Sequence, residues 1–101
     1  MKKTITFLLA LVLITACFTG CANNNPDSDL AYIRNKGKLI VGITDYAPMD
    51  YKDENGEWTG FDAEFARLVA KELGVEVEFF LLSDWNQKFY ELETKNIDAV
   101  W

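Results

Sequence analysis

Two acidic residues stand beside aromatic ones, each pair just after an apolar run. Thr44-Asp45-Tyr46 follows Leu39-Ile40-Val41-Gly42-Ile43, and Ser83-Asp84-Trp85 follows Val75 to Leu82. A carboxylate can hold an ammonium group, and an aromatic face can cover an apolar side chain or add cation–π attraction of about 0.5–2 kcal/mol. Capture of a small molecule bearing a positive charge is the chemistry these pairs could do. Each residue also has a purely structural use. Asp84 has capping-box spacing to Gln87 and on that reading caps a helix. Asp45 can satisfy turn amides, and Tyr46, Tyr51 and Trp85 can pack over a sheet end. Trp58 reads as packing and Trp101 as core.

Other chemistry finds less support. The 101 residues contain no histidine, the commonest general base and metal ligand, and no glycine-rich phosphate loop, so neither a metal nor a nucleotide cofactor is expected. The net charge is −6, with no basic stripe to track phosphates, which argues against nucleic acid as a partner. The acidic residues are scattered, and solubility is their plainest role.

The elements that must position the two pairs are legible. Leu30 to Gly37 reads as a short helical lead-in ending at a glycine. Leu39 to Ile43 is a continuous apolar run, the pattern of a strand buried on both faces of a parallel sheet. Met49 to Asp53 and Glu57 to Thr59 flank Glu54-Asn55-Gly56, which predicts a tight hairpin with a type I′ turn at Asn-Gly. From Asp62 the period becomes helical, with Phe65, Leu68, Val69 and Leu73 as the apolar stripe, Asp62 as the cap and Gly74 as the stop. Val75 to Leu82 is a second strand. A second helix uses Phe89 and Leu92 as its apolar face and ends near Lys95-Asn96, and Ile97 to Trp101 begins a third strand. The order is βαβαβ with a β-hairpin, an α/β fold with a parallel sheet. Open α/β sheets bind ligands beyond the carboxyl ends of their strands, where both acid–aromatic pairs lie.

The N-terminus has a different character. Met1-Lys2-Lys3 precedes an uncharged apolar run from Thr4 to Ala16, the layout of a secretory signal and too short to span a bilayer comfortably. Both cysteines of the chain sit where it ends. Ile14-Thr15-Ala16-Cys17 and Phe18-Thr19-Gly20-Cys21 each resemble the lipobox of bacterial lipoproteins. Cys21 is favoured because the polar Ala22-Asn23-Asn24-Asn25 that follows resembles a tether. The alternative is an ordinary signal whose cysteines carry no lipid. The expected organisation is a lipoprotein signal over 1–21, a polar tether and lead-in over 22–36, and the first part of a truncated α/β lobe over 37–101.

Gly42-Ile43-Thr44-Asp45-Tyr46-Ala47-Pro48-Met49, Asn55-Gly56-Glu57-Trp58-Thr59-Gly60-Phe61-Asp62, Ala70 to Phe79, Ser83-Asp84-Trp85 and Lys95-Asn96-Ile97-Asp98-Ala99-Val100 occur in order and without gaps. This set resembles the start of family 3 extracellular solute-binding proteins. The resemblance implies a type II periplasmic-binding-protein fold, in which two α/β lobes close on a polar amino acid and deliver it to the permease of an ABC importer. It implies ligand contacts from Asp45, Tyr46 and Trp85, with Trp85 stacked over the ligand side chain and Tyr51 a weaker candidate. The first loop is one residue shorter than in many relatives, and Met49 stands where phenylalanine is common. Relatives continue with a Thr-rich turn, an arginine that grips the ligand carboxylate, and a second lobe. The chain is therefore expected to be the N-terminal part of a longer protein, unable by itself to bind an amino acid as a complete binding protein does. Similar domains also occur as periplasmic dehydratases and as parts of sensor kinases and cell-wall lytic enzymes, which keeps an enzyme or a ligand-sensing module as the alternative.

If Cys21 carries the anchor, Cys21→Ser releases the protein from the membrane or blocks its processing, as read by fractionation. Loss of anchoring with Cys17→Ser alone would move the site, and no effect from either would exclude lipidation.

Overall fold

The structure is a computed structural model that describes residues 1–6 and 25–101; the lipobox cysteines lie outside the described residues. The first globular element is helix α1, Asp29–Lys36. The Ser28 hydroxyl accepts from the Ala31 N–H at 3.2 Å, Asp29 sits at the positive end of the dipole, and Arg34 and Lys36 sit at the negative end. Gly37 ends it at φ 77°, a conformation that glycine adopts without penalty.

Strand β1, Lys38–Ile43, follows at once. It pairs in parallel with β4, Glu76–Leu81, over all six residues, and with β5, Ala99–Val100, on its other side, giving the order β4-β1-β5. Leu39, Val41 and Ile43 point into the main core and are almost wholly buried. On the opposite face Gly42 must remain small, because a Cβ there would lie 2.7 Å from Ile97 Cδ1 and 3.0 Å from Leu82 Cδ1.

The hairpin is present in a form other than the expected one. Its strands are β2, Tyr51–Lys52, and β3, Trp58–Thr59. A type I′ turn requires positive φ at both Asn55 and Gly56, but only Gly56 has it, at 80°. The Gly56 N–H donates to the Asp53 carbonyl and the Asp53 N–H to the Glu57 carbonyl, which makes a three-residue loop with a glycine bulge. The Asp53 carboxylate fixes this alternative by accepting from the Asn55 and Glu57 N–H groups.

Helix α2, Phe61–Leu73, ends at Gly74 as expected but buries a different stripe. Ala63, Ala66 and Ala70 face the sheet and are at most 2% exposed, with Val69 and Leu73 packed beside them. Phe65 and Leu68 are 48% and 60% exposed. Side chains as short as alanine let the helix axis approach the sheet closely, and this rotates the larger residues outward. Asp62 is not the cap either. The helix begins one residue earlier, at Phe61, and Gly60 holds the cap position. Helix α3, Lys88–Glu93, is preceded by a 3-10 turn at Trp85–Gln87. In α3, Leu92 is half-buried, but Phe89 turns outward at 65% exposure. Trp101 packs against the core with its ring 5.6 Å from Phe65, and Trp58 lies 6.5 Å from Phe79.

One polar joint ties the helices to the sheet. Asp98 Oδ2 accepts from the Ile40 N–H at 2.8 Å, its Oδ1 accepts from Lys36 Nζ at 2.6 Å, and its own N–H donates to the Ile40 carbonyl. The Asp98 side chain is 4% exposed and that of Lys36 19%. Removing one partner of such a pair leaves the other charge and a strand amide without compensation. Asp98→Ala should therefore cost about 2–4 kcal/mol in urea unfolding. Glu78→Ala, which removes the exposed pair with Lys38, should cost less than about 1 kcal/mol. Equal losses would show that the Asp98 joint has no special role.

Candidate functional site

Parallel pairing places the two acid–aromatic loops side by side. Gly42 and Ile43 of β1 face Phe80 and Leu81 of β4, and the Leu82 N–H donates to the Ile43 carbonyl at 2.8 Å. The loop from Thr44 to Asp50 and the loop from Ser83 to Trp85 thus leave adjacent strands at the carboxyl end of the sheet. Asp45 is exposed, Tyr46 is 68% exposed and Trp85 45% exposed. None of the three sits in the core. Tyr51 is on β2 and lines a shallow apolar hollow with Phe61, Phe65 and Leu68.

Asp84 has the capping role that its spacing suggested. Its Oδ1 accepts from the Asn86 backbone N–H at 2.9 Å and from the Asn86 side-chain amide at 3.1 Å, closing the 3-10 turn on which Trp85 rides. Gln87 makes no reciprocal cap. Lys88 lies 4.7 Å from the Trp85 ring centroid and donates to the Trp85 carbonyl at 3.3 Å, so the indole is already oriented by a cation. Among the described residues, no group of three or more acidic, histidine or cysteine side chains is placed to hold a metal ion.

The first loop is fastened from behind. The Tyr46 N–H donates to the Asp50 carbonyl at 2.6 Å, and the Asp50 N–H to the Tyr46 carbonyl at 2.9 Å. The Asp62 N–H, one of the unpaired donors at the start of α2, donates to the Met49 carbonyl at 3.0 Å. Gly60 permits this approach: at φ 104°, a Cβ on it would collide with the Met49 carbonyl and lie 2.7 Å from the Pro48 oxygen. Asp50 itself is only 2% exposed. Burial, with the Asp62 carboxylate adding to it, pushes the Asp50 carboxyl up to about 6, while the Ala63 backbone N–H acts the other way. Sequence reasoning missed Asp50. The available signal was Gly60, which starts a helix with no capping side chain and so demands acceptors from elsewhere in the fold.

The sequence pattern of family 3 of the bacterial extracellular solute-binding proteins matches residues 39–101. This chain belongs to that family. The arginine-binding extracellular protein ArtP of Bacillus subtilis is 38% identical over 99% of this chain, and the match covers 37% of ArtP. The arginine-bound domain 1 of TmArgBP, from T. maritima, superposes with a TM-score of 0.59 at 36% identity, covering 65% of this chain and 52% of that domain. The membrane-bound lytic murein transglycosylase F of Sodalis glossinidius is 35% identical over 92% of this chain and 20% of its own length. The family member thus spans well under half the length of these two curated relatives. Its α/β architecture with a parallel sheet is that of part of one lobe of a type II periplasmic binding protein.

Proposed function

We propose that this chain forms the ligand-facing part of the first lobe of an extracytoplasmic solute-binding protein, which captures a polar amino acid for an ABC permease and is held to the membrane through Cys21. The observation that carries this reading is the shared carboxyl end of the sheet. Two loops with acid–aromatic pairs leave neighbouring parallel strands there, and their aromatic rings remain exposed where packing would have buried them. Asp45 supplies charge for an ammonium group, and Tyr46 and Trp85 supply faces for the ligand side chain, with Tyr51 a secondary contact. Lys88 on Trp85 marks that ring as one that accepts a cation. Domain 1 of TmArgBP has been solved in an arginine-bound form, which supports recognition centred on the first lobe. Our chain covers about half of that domain.

An enzyme on the same fold is the second reading, favoured by the lytic transglycosylase relative. General acid–base chemistry needs a titratable group within reach of substrate. The carboxyl shifted toward neutrality here, Asp50, is sealed beneath the loop, which favours binding over catalysis.

In a full-length version, Trp85→Ala should weaken amino-acid binding at least tenfold, while the melting temperature without ligand moves by no more than about 2 °C. Truncating a core tryptophan typically costs about 3–5 kcal/mol, so a large loss of ligand-free stability would show that Trp85 packs and does not bind.

A further inference from the structure

Among the described residues, Asp50 is a charged residue that is buried as a whole, at 2% exposure, and its Oδ1 has no hydrogen-bond partner, unlike the paired carboxylate of Asp98. A carboxylate in that position is costly, because burial without a full set of donors forfeits hydration. The cost falls on one joint. Asp50 closes the ligand loop through its paired backbone bonds with Tyr46, and the same stretch supplies the Met49 carbonyl to the start of α2. Opening this joint is the direct way for the carboxylate to regain water.

We propose that Asp50 is a positioning residue whose ionisation loosens the Thr44–Asp50 loop, so that Tyr46 is held more firmly when the carboxyl is protonated. Calling Tyr46 ligand-facing rests on the proposed function; the loosening itself does not.

Of the charged groups on the elements around Asp50, Asp62 is the one that acts on its carboxyl. From the first turn of α2, Asp62 repels the ionised form. Further along that helix, Glu64 is engaged with Arg67, which also bonds the Trp58 carbonyl. From β2, Lys52 lies over the Trp58 ring. Asp45, in the loop itself, is exposed. Only the Ala63 N–H favours the charge.

The sign follows from linkage. In the closed loop the carboxyl titrates near about 6, and in an opened, hydrated loop it returns toward 3.8. The closed form therefore binds the proton more tightly. Its advantage is complete below the lower value and disappears as pH rises through the higher one, and loop opening increases by up to about a hundredfold across that window. An ionised carboxylate acting as a helix cap would give the opposite dependence, with the loop tightest at neutral pH.

Amide hydrogen exchange on the full 101-residue chain, followed by NMR between pH 4.5 and 7.5 and corrected for intrinsic rates, separates the two. The Tyr46, Asp50 and Asp62 amides should lose protection as pH rises through about 6, while the Val41 amide of β1 does not. Asp50→Asn should remain protected and show no step. Asp62→Asn should move the step to lower pH, and the same shift should appear in the carbon-13 titration of the Asp50 carboxyl. The second variant keeps the test open if Asp50→Asn fails to fold. Protection that is flat or rises with pH in the unaltered chain, or an unmoved midpoint in Asp62→Asn, would overturn the proposal. No ligand is used, so this outcome is independent of the binding assay on Trp85→Ala, which addresses the functional reading alone.

Discussion

The three-stranded sheet and the helices packed on it are referred to β1. It is the only strand with partners on both sides, and Val41 and Ile43 on its core face have no exposed surface. Its register with β4 is fixed because a slip of one residue would turn Leu39, Val41 and Ile43 out of the core and bring Ile40 and Gly42 in. The alanine face of α2 packs on this strand and its neighbour, α1 leads into it, and the Asp98 joint fixes β5 beside it. The carboxyl end of β1, together with that of β4, then sets where Tyr46 and Trp85 emerge. The placement of these exposed aromatic residues is thus a consequence of one hydrophobic strand holding its register.

That strand was easy to read because a continuous apolar run between turn formers has few other uses. The same holds for Gly37 and Gly74, whose left-handed conformations end their helices. Helix α2 was harder. Periodicity marks Phe65, Leu68, Val69 and Leu73 as its apolar stripe, and of these Val69 and Leu73 do pack on the core while alanines take the place of Phe65 and Leu68. Close approach to the sheet decided for the alanines, and that is a tertiary effect with no local signature. The Asn-Gly signal failed for a related reason: the Asp53 carboxylate organised a longer loop around Gly56.

Of the candidate site, the exposed positions of Asp45, Tyr46 and Trp85 beyond neighbouring strands were legible, because acid–aromatic pairs after buried strands are conspicuous; their contact with ligand is the proposal. Asp50 was not, since its importance comes from burial beneath a helix start eleven residues away. Its position gives the first loop two distinct layers. Asp45 and Tyr46 form the outer one, open to solvent. Met49, Asp50 and Gly60 form the inner one, which joins the loop to α2 by backbone bonds and leaves no room for a side chain at Gly60. With the Asp50 carboxyl protonated, a loop built this way can present a rigid aromatic face, and rigidity in a binding surface reduces the ordering cost of capture.

The remaining question is whether this face meets ligand. Proton–nitrogen correlation spectra of the 101-residue chain, recorded during addition of arginine, test that most directly. The account predicts shifts confined to Thr44–Asp50 and Ser83–Asn86, without saturation at millimolar arginine, because the proposed contacts address the ammonium and side chain and not the carboxylate. Shifts centred instead on the cleft between α1 and α3, where Tyr32, Leu92 and Lys95 lie, or saturation at micromolar arginine, would contradict it.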